Sequence, residues 1–186
     1  MQITALFRHP IKSHGRESLQ QVALIEGQSM PFDRQWAIAH DAAKIDVAEW
    51  AACANFSRGS KAPKLMAIDA KLDEAAETVT LTHPDRPEIT VNPDTDADRL
   101  LEWVMPLDPQ DRELPARVLS LAGRGYTDSD YPSISLCNTA SHHAVESLSG
   151  TPLSPLRWRG NIWFDGAVPW DEFSWIGRDL KLGNAV

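Results

Sequence analysis

Several cations and hydroxyl groups in this sequence have the types and spacing that anion binding requires. Lys12 and Ser13 are adjacent, and Arg34 follows Asp33. Ammonium and guanidinium groups, together with hydroxyl or backbone N–H donors, bind oxyanions well. Each cation also has a structural alternative, because Lys12 can be a solvated lysine in a turn and Arg34 can form a structural ion pair with Asp33.

A second set of donors lies at a predicted helix N-terminus. Thr139 and Ser141 stand just before a helix predicted over His142–Leu148, which Gly150 closes. The first N–H groups of such a helix are free to bind an anion. Serine, threonine and asparagine are also the preferred helix caps, so the same segment is expected in a protein without a ligand.

Arg159 and Asn161 lie on a predicted strand that is rich in tryptophan. Arg159 can pair with an anion that Asn161 helps to fix. The alternative is that Arg159 stacks on Trp158 or Trp163, since guanidinium groups favour aromatic faces.

Metal and thiol chemistry have weaker local support. His142, His143 and Glu146 have the spacing of helical metal ligands, but no further ligands accompany them, and a solvated helix face is the better interpretation. His14 could donate a proton, although an exposed side chain is expected. Cys137 follows an apolar run and is interpreted as a core thiol.

Short strands are the elements that must position these residues. Hydrophobic alternation and turn residues predict a mainly β fold with a few helices (α+β). One helix is expected over Asp94–Met105, which begins with acidic residues. The predicted strands are Gln2–Phe7, Gln21–Ile25, Gln35–Ala39, a hairpin of Leu65–Leu72 and Thr78–Thr82, and then Ala116–Leu121, Ser133–Leu136, Leu156–Phe164 and Leu180–Leu182.

Three prolines between positions 106 and 115 interrupt regular structure and place a domain boundary near Leu114. The first domain, residues 1–114, is predicted to be β-barrel-like and to pack on a second β domain, residues 115–186. A chain of 186 residues is long enough for two such domains.

Composition narrows the classes of partner and location. A net charge of −8 argues against nucleic acid and anionic membranes as partners, since both need a concentrated positive field. The two cysteines, Cys53 and Cys137, are far apart and give no disulfide framework. No basic leader with a long apolar run is present at Met1–Arg8, so we expect a cytoplasmic protein without a membrane segment.

Five segments, in order along the chain, resemble the MOSC family of molybdenum-cofactor proteins. His9–Ser13 resembles the Tyr-Pro-Ile-Lys-Ser opening of the MOSC N-terminal β-barrel domain, and Phe32–Trp36 resembles its Asp-Arg-x-Trp segment. Three further segments resemble successive blocks of the MOSC domain, namely Asn138–Ser141, Arg159–Ile162 and Trp175–Gly183.

The resemblance implies a molybdopterin cofactor held between the two β domains, and pyridoxal phosphate is not expected to bind. Gly160 stands where the family usually has proline, which we expect to matter little, and Ser57–Arg58 resembles a Gln-Arg pair at a stretched spacing. The residues that the resemblance assigns to the cofactor are Lys12, Ser13, Arg34, Thr139, Ser141, Arg159 and Asn161.

In relatives, a cysteine after the Trp-x-Gly strand ligates molybdenum or carries sulfur. The last cysteine of this chain is Cys137. We therefore expect an incomplete, C-terminally truncated MOSC domain, with no catalytic residue and no metal ligand in this chain.

Three functions stay open. The first is an oxidoreductase that reduces N-oxygenated small molecules with electrons from a redox partner protein. The second is a cofactor-binding or sulfur-carrier protein without redox turnover. The third is a β-barrel scaffold that binds an anion.

Overall fold

A computed structural model describes residues 1–45 and 49–185 of the chain. Nine strands and two α-helices confirm the mainly β fold class within this range. The strands are β1 (Gln2–Arg8), β2 (Glu17–Leu19), β3 (Trp36–His40), β4 (Asp69–Asp73), β5 (Thr78–His83), β6 (Arg86–Val91), β7 (Pro115–Ser120), β8 (Leu136–Asn138) and β9 (Ile162–Asp165), and the helices are α1 (Ala97–Val104) and α2 (Thr139–Ser149).

The chain folds into two compact units, each made from separate segments. Unit 1 consists of Met1–Phe7, Ser18–Leu24 and Ile134–Val186, and unit 2 consists of Arg8–Glu17 and Ile25–Ser133. The boundary predicted near Leu114 concerns the family's domains and stays a prediction, while the compact units divide at other points.

Strand β3 is the centre of unit 2 because it is buried on both faces. Side chains alternate across a strand, so Trp36 and Ile38 enter one hydrophobic cluster while Ala37 and Ala39 enter another. Its partner is β7, which runs antiparallel to it and pairs Trp36 with Ser120. The pairing explains why β7 belongs to unit 2.

The second sheet of unit 2 is the antiparallel order β4-β5-β6. Its buried face carries Leu72, Val79 and Leu81, whereas Thr80 and Thr90 join their hydroxyls at 2.8 Å on the exposed face. Helix α1 buries Leu100, Trp103 and Val104 in the same cluster as that face. The alternation along β4 and β5 confirms the predicted hairpin. The buried face of α1 confirms the predicted helix.

Unit 1 is built on one sheet with the strand order β2-β1-β9-β8. Strand β8 lies parallel to β9, and α2 connects them. The helix begins after Asn138, whose side chain accepts a hydrogen bond from Ala140 N at 3.0 Å, and ends at Gly150 with φ +67°. The end at Gly150 agrees with the sequence prediction, whereas the helix begins at Thr139, three residues before the predicted start at His142.

The strand predicted over Gln21–Ile25 is wrong, since that segment has no regular secondary structure and β2 occupies Glu17–Leu19 instead. Glu17 fixes this position through long-range contacts. Its carboxylate pairs with Arg8 at 2.6 Å and accepts a hydrogen bond from Leu72 N at 3.1 Å. A local hydrophobic pattern carries no sign of such contacts.

Two other predicted strands begin too early because proline starts a 3-10 turn in each. Pro63–Ala67 and Pro155–Trp158 are 3-10 helices with proline in the first turn, where its fixed φ is favourable. Strand structure therefore starts only at Asp69 and at Ile162.

Three further predictions differ from the structure, at the strand before α2, at the last predicted strand and at β6. The strand predicted over Ser133–Leu136 lies later, at β8, and Leu182 forms only an isolated bridge with Ala185. Strand β6 was not predicted. Within residues 1–45 and 49–185, no helix combines the length and apolar character that crossing a membrane requires.

Candidate functional site

The Lys12–Ser13 segment of unit 2 is a tight turn that docks on β3. Ile11 and His14 form a bridge, and His14 N donates to Ile11 O at 3.0 Å. Lys12 N donates to Trp36 O at 2.7 Å, which holds the turn against the strand. Ser13 has φ +67°, a left-handed conformation that is uncommon for residues other than glycine.

The Lys12 side chain is buried, with 4% exposed, so the alternative of a solvated lysine is wrong. Its ammonium donates to Tyr126 O at 2.8 Å and to Asp128 Oδ1 at 2.6 Å. Burial lowers the pKa of Lys12, while the Asp128 carboxylate opposes this change and the nearby Arg34 adds to it. The two predicted cations, Lys12 and Arg34, therefore lie close together.

Asp33 is the buried anion of this cluster. It pairs with the Arg34 guanidinium through Oδ2, and its Oδ1 accepts a hydrogen bond from His9 N at 2.8 Å. Burial acts to raise the pKa of Asp33, but Arg34 and His9 hold it well below its ordinary value. The ion pair with Asp33, weighed as the structural alternative for Arg34, is thus present.

A glycine loop closes over Arg34. Arg34 N donates to His9 O at 2.6 Å, and Arg34 O accepts from Tyr126 N at 2.8 Å. Gly125, with φ +61°, lies so close that a Cβ there would collide with Asp33 O. The approach fixes Arg34 at φ +53°, again in the left-handed region.

His14 is fully buried, which overturns the expectation of an exposed histidine. Its Nδ1 lies 2.7 Å from Lys12 O, inside the turn that it closes. Asp128, Tyr126 and Gly125 were not singled out in the sequence. The one sequence feature near them is the Gly-Arg-Gly pattern at 123–125, which predicts a loop but does not reveal which strand that loop packs on.

In unit 1, the hydroxyl predicted at Ser141 is engaged within the chain. Trp170 N donates to Ser141 Oγ at 2.8 Å, and the helix cap is supplied by Asn138 rather than by Thr139 or Ser141. Asn138 also donates to Glu172 at 2.8 Å. Burial acts to raise the pKa of Glu172, but hydrogen bonds from Ser141 and Asn138 lower it overall.

Asn161 is buried and joins three parts of unit 1. Its Oδ1 accepts from Ser135 N and Ser135 Oγ at 3.2 and 3.0 Å, and its Nδ2 donates to Phe7 O at 3.2 Å. Arg159 has φ +54°. The residue that stacks on Trp158 is Arg157, whose guanidinium carbon lies 5.6 Å from the ring centroid.

Gly160, expected to matter little, has a packing role. A Cβ at this position would collide with the Sγ atom of Cys137. Burial raises the pKa of Cys137 to about 11, and Glu172 adds to the effect, so this thiol stays protonated at neutral pH. The raised pKa agrees with an unreactive thiol, although Cys137 is half-buried and lies outside the hydrophobic core clusters of the described residues.

The His142 side of helix α2 is not a solvated face, because His142 is 8% exposed. Trp158 Nε1 donates to His142 Nδ1 at 3.0 Å, and the rings of His142 and Trp163 meet edge to face at 5.7 Å. Glu146 accepts a hydrogen bond from Leu153 N at 2.7 Å. Both side chains therefore have structural contacts in unit 1.

The model of the MOSC N-terminal beta barrel domain matches residues 1–111. The chain belongs to this family. The MOSC N-terminal match includes Lys12, Ser13 and Arg34, and it ends before the four candidates of unit 1. No curated protein and no solved structure matched the chain. The MOSC assignment of residues 115–186 stays a prediction.

Proposed function

We propose that this chain binds a molybdopterin cofactor and that Lys12, Ser13 and Arg34 bind its anionic groups. Backbone conformation is the observation that carries the proposal. Six non-glycine residues have positive φ in the described part of the chain, and Ser13, Arg34 and Arg159 are three of them. Such conformations cost energy and cluster at ligand sites, and these three are also residues that the family resemblance assigns to the cofactor.

The chemistry of Lys12 fits an anionic ligand. An ammonium group has three N–H donors, and the contacts to Tyr126 O and Asp128 use two of them. Asp128 is 81% exposed in its side chain, so a ligand oxygen that replaces it on the Lys12 ammonium would leave the Asp128 carboxylate in water and would itself balance the buried Lys12 charge. A ligand oxygen can therefore approach the ammonium at low cost.

Arg34 fits the same role through its orientation. The pair with the fully buried Asp33 holds the guanidinium in one place, while the Arg34 side chain keeps 11% of its surface exposed. A planar guanidinium suits a bidentate oxygen partner. We propose that Asp33 and His9 act as positioning residues for Arg34.

In unit 1, Thr139 and Arg159 are proposed as further cofactor contacts, and Ser141, whose hydroxyl accepts from Trp170 N, is proposed as a positioning residue at the start of α2. Asn161 is proposed as a positioning residue for Arg159, because its amide is hydrogen bonded to Ser135 and Phe7.

The bound cofactor supplies a molybdenum centre for the reduction of an N-oxygenated small molecule, with electrons from a redox partner protein, while the chain binds and orients it. A carrier role without turnover is the alternative.

The test is the cofactor content of the chain after expression in a host that makes molybdopterin. We expect about one pterin per chain, and a fall of about tenfold in Lys12→Met and Arg34→Lys, since hydrogen bonds to charged groups contribute about 1.5 to 3 kcal/mol each. Pterin is measured by fluorescence after release, and molybdenum by mass spectrometry.

The matched controls are Lys71→Met and Arg99→Lys, which alter exposed cations in the same unit. Both should keep the cofactor at the wild-type level. Loss of pterin in the controls as well, or no pterin in the wild-type chain, would contradict the proposal. Reduction of a simple aromatic amidoxime by the loaded protein and dithionite separates the redox role from the carrier role.

A further inference from the structure

Unit 2 contains a polar cavity of about 310 Å³ at the end of the β3–β7 pair. The segment after residue 53 forms one wall, because Phe56 bridges Ala39 and Ser57 N donates to Ile38 O at 2.9 Å. Cavities of this size are typical of small-molecule sites. The polar residues that line it are His40, Ser57, Arg58, Lys61, Asp108, Arg112 and Glu113.

Two buried oxygen atoms in this cavity lack complete hydrogen bonding. Ser57 is 6% exposed and Asp108 is 7% exposed. The Ser57 hydroxyl is close enough to the Asp108 carboxyl to lower its pKa, but neither Ser57 Oγ nor Asp108 Oδ2 makes a well-formed hydrogen bond within the described residues. A buried polar group left in this state destabilises the fold, so a ligand that completes these hydrogen bonds is stabilised by the cavity.

The cavity also holds cations without carboxylate partners. Arg112 is paired with Glu113 at 3.3 Å, but neither Arg58 nor Lys61 forms an ion pair with a residue in ranges 1–45 and 49–185. Among the described residues, the Arg58 side chain donates one hydrogen bond, a weak one of 3.5 Å to Cys53 Sγ. An oxyanion therefore finds two available positive groups at this wall.

We propose that this cavity binds a small organic oxyanion that carries hydroxyl groups. Arg58 and Lys61 bind the carboxylate or phosphate, and Asp108 and Ser57 accept hydrogen bonds from the hydroxyls. The proposal goes beyond the cofactor function, because none of these four residues is among the proposed cofactor ligands.

The Asp108 carboxyl is suited to accept a hydrogen bond from a ligand. Burial raises its pKa to about 6, while the Ser57 hydroxyl and, to a smaller extent, the Arg112 cation limit the rise, so at pH 7.5 the group is mainly ionised. An ionised, buried carboxylate is a strong acceptor for a hydroxyl. Phe56, which lines the cavity, lies with its ring 5.9 Å from Lys12 Nζ, so the two sites must be tested apart.

Calorimetry at pH 7.5 with four probes tests the chemistry. Gluconate and glucose 6-phosphate carry both an oxyanion and hydroxyls, hexanoate lacks the hydroxyls, and glucose lacks the charge. We expect at least one of the first two to bind with a Kd below about 1 mM, and hexanoate and glucose to bind at least tenfold more weakly. The stronger of the first two identifies carboxylate or phosphate as the anion.

Variants locate the binding. Arg58→Met and Lys61→Met should each weaken the stronger probe about tenfold, whereas Lys64→Met, an exposed neighbour outside the cavity, should not. Lys12→Met should also leave probe binding unchanged, which separates this site from the cofactor site. Failure of all four probes, equal binding of hexanoate, or unchanged affinity in both cavity variants with wild-type thermal unfolding would overturn the proposal.

Discussion

The predicted site residues of unit 2 and those of unit 1 differ in how the fold uses them. In unit 2, Lys12 pairs with the exposed Asp128 and Arg34 pairs with the buried Asp33, and both cations are proposed to bind a ligand. In unit 1, Ser141 and Asn161 use their polar atoms in hydrogen bonds within the chain. Residues that look equally suited to a ligand in sequence can therefore be charged site groups in one region and structural links in another.

The largest expected effect comes from the buried anion of unit 2. Asp33→Ala removes the partner of Arg34 and should lower the free energy of unfolding by about 3 to 5 kcal/mol, the typical cost of breaking a buried pair. Because the pKa of Asp33 is lowered in the fold, this stabilisation is present above pH 4 and is lost on acidification. Urea unfolding of the wild-type and Asp33→Ala chains at pH 7 and pH 3 measures both the loss of stability and its dependence on pH.

Asp69→Ala is the control, because Asp69 forms an ion pair with Arg16 while 65% of its side chain is exposed to solvent. We expect a change below about 1 kcal/mol. Equal effects of the two substitutions would remove the distinction between the buried cluster and an ordinary surface pair.

Asn161→Ala tests the structural side of the comparison. Loss of the hydrogen bonds to Ser135 and Phe7 should cost about 1 to 3 kcal/mol, whereas Asn184→Ala, at an exposed position, should change stability by less than about 0.5 kcal/mol. Thermal and urea unfolding give the values. A stable Asn161→Ala chain that has lost its cofactor would instead place Asn161 with the direct ligands.

The pKa of Asp108 is shifted in the opposite direction from that of Asp33, which lies in the same unit. The Asp108 pKa is raised from 3.8 to about 6 by burial, so the folded state binds the proton more tightly and stability falls as pH rises from about 4 to about 6. Asp108→Asn should therefore stabilise the chain by about 1 to 2 kcal/mol at pH 8 and by little at pH 4.

Unfolding of Asp108→Asn is followed across this pH range beside Asp111→Asn, which removes the same charge from an exposed position. The control should change stability by less than about 0.5 kcal/mol. A gain that is equal at pH 4 and pH 8 would show that Asp108 does not carry the pH dependence.

The smallest expected effect concerns the packing of Gly160, which stands between Arg159 and Asn161 in the sequence. Gly160→Ala should cost about 1 kcal/mol, because the new methyl group displaces the Cys137 thiol, which can rotate. In a Cys137→Ala background the same change should be neutral. A double-mutant cycle by thermal unfolding measures this coupling, and additive effects would contradict the contact.

The sequence predicted the elements that depend on local pattern. Strands β1, β3, β5 and β7 and the caps of α2 follow from alternation and capping residues. It could not predict β2, since Glu17 is fixed by Arg8 and Leu72 at a distance.

The site shows the same limit. The short motifs around Lys12 and Arg34 identified the cations, but burial of Lys12 depends on Tyr126 and Asp128, more than a hundred residues later. The close approach at Gly125 depends equally on tertiary structure. Residue types therefore predicted the ligand chemistry, and only the fold showed which of these groups are buried and held in place by other parts of the chain.

The doubly buried strand β3 has a consequence for folding kinetics. Its partner β7 joins position 36 to position 120, so pairing them closes a long loop before any burial is gained. The β4-β5-β6 meander needs only short turns. We expect the meander to form early in pulse-labelled hydrogen exchange and β3 to become protected last, so the turn that carries Lys12, which docks on β3, would be completed only at the end of folding.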